Sequence, residues 1–93
     1  MIVSFRDKKT EGLFYRLVSR EIPPDIQHTA LRKLRMLNRS ISINDLRVPP
    51  ANRLEKLRGD RDGRYSIRIN DKWRICFMWD GQNAYEVEIV DYH

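Results

Sequence analysis

Apolar residues recur along this chain in two rhythms, and the change falls near residue 53. Before it the rhythm is helical. Leu13, Phe14, Leu17 and Val18 recur at i, i+1, i+4 and i+5, which predicts a helix over residues 8–19 with Asp7 as N-cap. Pro23, Pro24 and Asp25 restart the chain as a helix-start signal. Ile26, Ala30, Leu34, Leu37 and Ile41 then form one apolar stripe, while Arg32, Arg35 and Arg39 lie on another face as an outward row of cations. Residues 2–5 read as a short strand, and residues 42–52, with Pro49 and Pro50, as a loop.

From residue 53 the period becomes two. Arg53–Arg58 reads as a strand with Leu54 and Leu57 as its apolar positions, and the residues from Gly59 to Gly63 as a turn. Tyr65, Ile67 and Ile69 alternate with polar residues, as do Trp73, Ile75, Phe77 and Trp79, then Tyr85, Val87 and Ile89. Asn70-Asp71-Lys72 and Asp80-Gly81-Gln82-Asn83 mark the hairpin turns. The expected architecture is α+β: a short N-terminal strand, two helices, then an antiparallel meander, in the order β-α-α-β-β-β. Both helices cover one sheet face, and the other face stays partly open with the polar members of each alternation.

Ninety-three residues make one domain, spanning 1–93. With 41% hydrophobic and 33% charged residues the chain can build one small core but no deep catalytic cleft, so a P-loop fold, a TIM barrel and a two-domain enzyme are excluded. Chemistry would have to occur in an open groove. The net charge is +5, and its distribution is uneven. Residues 26–39 hold Arg32, Lys33, Arg35 and Arg39 and no acid. Residues 53–74 hold eight basic residues against four acids, and residues 75–93 hold four acids and no Lys or Arg. One strongly positive face suits a polyanion. Cys76 is alone, so no disulfide framework exists, and its place between Ile75 and Phe77 reads as a small core or strand position. No signal-peptide or membrane-spanning run is visible, so a cytoplasmic protein without a membrane role is expected.

The chemistry narrows by elimination. His28, His93 and Cys76 have no zinc-site spacing, Gly59 and Gly63 flank an inter-strand turn rather than a phosphate loop, and neither histidine has a serine in a nucleophile turn. No metal or other cofactor is expected. Asp91, Tyr92 and His93 end the chain. Such an ending is commonly a frayed tail. Here it offers a carboxylate, a phenol and an imidazole, and the strands offer Arg58, Arg64, Arg74 and Lys56 to hold phosphate. RNA cleavage needs a base for the 2′-hydroxyl, a cation for the charged phosphorane and an acid for the leaving 5′-oxygen. RNA brings its own nucleophile, so a small open site suffices.

The chain resembles HigB-type toxins of the RelE/ParE superfamily, and within them the GraT-like branch. The resemblance is carried by Ile2-Val3-Ser4-Phe5-Arg6, by Arg53-Leu54-Glu55-Lys56-Leu57-Arg58-Gly59-Asp60, by Asp62-Gly63 and by Ser66-Ile67-Arg68-Ile69. It continues through Trp73-Arg74-Ile75-Cys76-Phe77 and Glu88-Ile89-Val90-Asp91-Tyr92-His93, so it covers nearly the whole chain. It implies a ribosome-dependent endoribonuclease that cuts translated mRNA. It also implies a HigA-like helix-turn-helix antitoxin that neutralises the toxin, operator DNA being bound only through that complex. Asp91, Tyr92 and His93 fall on the family's active-site ending, and Arg74 on its strand arginine. Arg58 stands where many relatives carry Lys, and Glu55 where the best-known relatives carry His. A two-histidine acid/base pair is therefore absent, and Glu55 either acts as the base or orients an arginine. Arg32, Arg35 and Arg39 would contact ribosomal RNA, or form an ordinary solvated face.

Two other functions compete. ParE-like relatives inhibit DNA gyrase and cleave nothing, but the Asp-Tyr-His ending and the Trp-Arg-Ile strand favour cleavage. A plain nucleic-acid-binding module would stack bases on Tyr65, Trp73 or Trp79. Their placement among Ile67, Ile69, Ile75 and Phe77 favours core packing instead.

Overall fold

The computed structural model describes residues 1–17, 21–58 and 63–91. Helix α1 runs Lys8–Phe14, and the Asp7 carboxylate accepts from the Thr10 amide at 2.8 Å, as its N-cap position demands. The helix stops five residues before the expected end. Arg16 enters the left-handed region at φ 61°, the Arg16 amide donates to the Leu13 carbonyl and the Leu17 amide to the Gly12 carbonyl. These paired bonds close a Schellman-type end. Leu17 therefore lies beyond the helix and is exposed, and Val18 lies outside the described residues.

Helix α2 runs Pro24–Arg39. Proline in the first turn costs nothing because that amide has no helical acceptor. Ile26, Ala30, Leu34 and Leu37 are buried as the stripe requires. Ile41 is not part of it: the helix ends before it, Ser40 is extended, and Ile41 is exposed. Residues 42–52 are more ordered than a plain loop. Two short 3-10 segments, Ile43–Arg47 and Pro50–Asn52, sit there, the first opened by a capping box between Ser42 and Asp45. The amides of Ser42 and Ile41 donate to the Asp45 carboxylate and hold its pKa below the usual value.

The sheet has four strands in the order β1-β2-β3-β4, all antiparallel: β1 Glu55–Lys56, β2 Arg64–Arg68, β3 Trp73–Asp80 and β4 Asn83–Asp91. The α+β reading holds, with both helices on one face, and the meander carries four strands where the β-α-α-β-β-β order counts three. The expected N-terminal strand is reduced to two parallel bridges beside β4, Ile2 to Ala84 and Phe5 to Val87. The expected strand over 53–58 is only two residues long, and its start is delayed by the left-handed conformation of Arg53, φ 44°. Beyond the bridges, α1 shields the outer edge of β4: the Ile89 amide donates to the buried Thr10 hydroxyl at 3.0 Å.

A β-bulge breaks the alternation of β4. Cys76 pairs with Glu88 but Met78 with Tyr85, so one more residue is spent on β4 than on β3, and Glu86 takes φ 52°. Val87 and Ile89 stay in the core with Ile67, Ile75 and Phe77, whereas Tyr85 moves to the Met78 side. Tyr65, Trp73 and Trp79 pack against the core, which is the structural role their spacing favours.

Lys33 sits on the inner side of α2, 4% exposed, and its ammonium donates to the Arg68 carbonyl at 2.5 Å. That carbonyl lies on β2 past the end of β1, so the lysine satisfies a strand edge the short β1 leaves uncovered. Burial lowers the Lys33 pKa from 10.5, and the charges of Arg32, Arg68 and Arg74 lower it further. The unfolded chain thus binds more protons than the folded one between that lowered value and 10.5. Stability should therefore rise with pH across this window, and Lys33→Met should lose that slope. Urea midpoints of the two proteins at alkaline pH measure the difference, and identical slopes would contradict it.

Candidate active site

Register assigns the side chains of the sheet to its two faces. Glu55, Ser66, Cys76 and Glu88 form one cross-strand row on the face away from the helices. Arg64, Met78 and Tyr85 flank it on one side, and Arg68, Arg74 and Val90 on the other. This face is not simply open. Ser66 and Cys76 are fully buried and Arg74 is 7% exposed, and two arginines lie across it.

Arg74 starts on β3 and crosses β2 toward β1. Its Nε donates to Ser66 Oγ at 2.8 Å, and its Nη2 donates to the Arg53 carbonyl at 2.7 Å and to the Ser66 carbonyl at 3.3 Å. Its Nη1 stands 3.9 Å from Glu55 Oε1. Arg64 crosses the other way, from β2 over β3 to β4, and donates to Glu88 Oε2 at 3.0 Å. Glu88 also pairs with Arg6 at 3.5 Å. The two pairs differ in firmness. The Arg64–Glu88 side chains are 12% and 17% exposed, whereas Glu55 is half exposed and at ion-pair distance only. An incoming anion can displace Glu55 more easily than Glu88, since a solvated pair contributes little.

The sequence-derived candidates divide accordingly. Glu55, Arg64 and Arg74 are brought together on this face, and Arg58 follows β1 with its side chain exposed. Leu54 packs toward the core, so Glu55 turns to the groove as alternation requires. Lys56 and Asp91 are not brought into this group. Lys56 pairs with Tyr65, and Asp91 with Trp73, so register puts both on the helix-covered side, where Lys72 lies 3.6 Å from the Asp91 carboxylate. Tyr92 and His93 lie outside the described residues. Arg32, Arg35 and Arg39 are exposed on α2 and, with His28 and Leu31, line a surface depression of about 270 Å³.

Sequence reasoning missed Ser66 and the Arg53 carbonyl as partners of Arg74, and it missed the burial of Lys33. A serine within an alternating strand carries no signal of what will lie across it, and a backbone carbonyl carries none at all. Among the described residues no three His, Cys, Asp or Glu side chains gather as metal ligands, and no helix is long and apolar enough to cross a membrane.

Comparison with known proteins matches this arrangement to one family. Residues 3–93 match the family model described as the RelE-like toxin of type II toxin-antitoxin system HigB. Toxin HigB-1 of Vibrio cholerae is 41% identical over 81 residues, which is 85% of this chain and 84% of that protein. Endoribonuclease HigB of Proteus vulgaris is 31% identical over 93 residues, the full length of both. Among solved structures, the YoeB dimer from Staphylococcus aureus superposes with a TM-score of 0.60 at 20% identity, covering 99% of this chain and 94% of that one. The YoeB-YefM complex from the same species gives 0.59 at 21% identity, covering 100% and 95%. The structural likeness supports the RelE-type fold, and the match over almost every residue shows that this chain belongs to the HigB-like toxins of type II toxin-antitoxin systems.

Proposed function

We propose that this toxin is a ribosome-dependent endoribonuclease that cleaves mRNA during translation without a metal ion. The observation that carries the reading is the register at the start of β3. Arg74 pairs with Val90 and Trp73 with Asp91, so the strand leading into the Asp91-Tyr92-His93 ending runs beside the arginine whose Nη1 faces the groove. The relative from Proteus vulgaris, named an endoribonuclease, supports the same activity.

In this reading His93 carries the proton chemistry, with Tyr92 and Asp91 beside it in sequence. The 2′-hydroxyl gives its proton to the His93 imidazole, its oxygen bonds to phosphorus, and the bond from phosphorus to the 5′-oxygen breaks as that oxygen takes a proton from the imidazolium. The products are a 2′,3′-cyclic phosphate and a 5′-hydroxyl. Arg74 and the exposed Arg58 hold the phosphate as its charge grows, with Arg64 as an outer cation, while Lys56, on the other side of the sheet, takes no part. Glu55 occupies Arg74 until phosphate takes its place, and so it orients an arginine rather than accepting a proton. The row Arg32, Arg35 and Arg39 meets ribosomal RNA. The partner is a HigA-like helix-turn-helix antitoxin, operator DNA is reached only through that complex, and the toxin acts in the cytoplasm.

Glu55 provides the test of these roles. Glu55→Gln keeps the shape and one acceptor, and should keep most of the cleavage of ribosome-bound mRNA. Glu55→His should raise it by supplying a second imidazole. Cuts mapped by primer extension on translated mRNA measure both. Loss of cutting in Glu55→Gln, with fold and ribosome binding intact, would make Glu55 the base. Inhibition of DNA supercoiling with no RNA cut would replace the reading by gyrase inhibition.

A further inference from the structure

We propose that Ser66 is a positioning residue, which fixes the Arg74 guanidinium across β2 so that Nη1 faces the groove. The proposal rests on the reading of Arg74 as a cation of the RNA-cleaving site. Ser66 is fully buried at the centre of β2, between Glu55 on β1 and Cys76 on β3. It does two things there. Its small side chain leaves a lane across the strand, which the β-branched residues typical of strand centres would fill. Its hydroxyl and carbonyl oxygens accept from Nε at 2.8 Å and Nη2 at 3.3 Å.

The guanidinium is planar and rigid, so fixing Nε and Nη2 also fixes the direction of Nη1. An arginine side chain otherwise spreads over many rotamers. The third anchor is the Arg53 carbonyl at 2.7 Å, offered by a residue held at φ 44°. Left-handed backbone at a non-glycine residue persists where its surroundings over-determine it. Ser66 and Arg53 therefore form two sides of one clamp, built before RNA arrives.

The test compares full-length wild type, Ser66→Ala and Ser66→Thr by two readouts. The first is hydrogen exchange of the Arg74 Nε–H, followed by NMR on ¹⁵N-labelled protein. The second is the kinetics of cutting ribosome-bound mRNA. Wild type should show a slowly exchanging Nε–H. Ser66→Ala should fold, lose that protection and drop kcat by roughly ten- to a hundredfold, the scale of a misplaced reacting group. Its KM should stay near the wild-type value, because ribosome binding lies elsewhere. Ser66→Thr keeps the hydroxyl but puts a β-branched methyl into the lane, so it should lose both readouts as Ser66→Ala does. Should Ser66→Ala not fold, Ser66→Cys, of similar size but a weaker acceptor, carries the same comparison. Unchanged Nε–H protection in the variant, or unchanged kcat once protection is lost, would overturn the proposal. Absence of cutting by wild type would instead overturn the endoribonuclease reading, while the exchange data still decide whether the clamp exists.

Discussion

Arg74→Ala should lower both the stability of this toxin and its activity, each by a large factor. The side chain is buried and joins three segments, because its donors reach Ser66 on β2 and the Arg53 carbonyl ahead of β1. Hydrogen bonds to a charged group contribute about 1.5–3 kcal/mol each. They do not add fully within one side chain, so a total near 3 kcal/mol is expected, a large share of the roughly 5–15 kcal/mol that holds a domain together. The loss also leaves buried oxygens without their donor. On activity, removing one donor from a developing oxyanion costs on the order of 2.7–4 kcal/mol, or about a hundred- to a thousandfold in rate. Arg74→Lys keeps the charge without the fork and should fall between. Urea titration separates the two effects, since activity is compared at concentrations where each variant is folded. An Arg74→Ala protein as stable as wild type would mean that the clamp contributes nothing to the fold.

The second large effect concerns the substrate. Free RNA should be cut poorly, and the same sequence on a translating ribosome should be cut well. The face carrying Arg74 and Glu55 has no enclosing wall among the described residues. Arg64 and Arg74 lie across it from opposite directions. Such a surface offers charge but cannot hold a flexible strand with its 2′-oxygen in line with the leaving group. Orientation of that kind accounts for as much as roughly 7–11 kcal/mol of a barrier. On the proposed reading, a ribosome that holds mRNA in a fixed path would supply what the protein lacks. If the exposed Arg32, Arg35 and Arg39 meet ribosomal RNA as proposed, cleavage should fall with rising salt.

The fold was largely legible because its signals are periodic. The stripe of Ile26, Ala30, Leu34 and Leu37 and the alternation of Ile75 and Phe77 each follow from one face needing burial. What escaped was set by single backbone positions. Arg16, Arg53 and Glu86 all take positive φ without being glycine, and each ended or shifted an element: α1 early, β1 late, and Tyr85 onto the other face. Nothing in a non-glycine residue announces that choice, which tertiary packing imposes. The candidate site was legible in part. Glu55 and Arg74 were recognised through the resemblance and lie within ion-pair distance. Lys56 and Asp91 looked like neighbours of that pair in sequence, yet register turns both to the other side of the sheet. Arg74 was expected as an open phosphate ligand, and its depth could not be foreseen, because its partners include a serine and two carbonyls.

One cleavage assay decides whether this toxin is a ribosome-dependent endoribonuclease, run on ribosome-bound mRNA and on the same mRNA free, with wild type and with a chain lacking His93. Wild type is expected to cut the bound message and leave the free one nearly intact. The chain lacking His93 should bind ribosomes and keep its melting temperature while cutting neither. Equal cutting of free and bound RNA, or undiminished cutting without His93, would contradict the account.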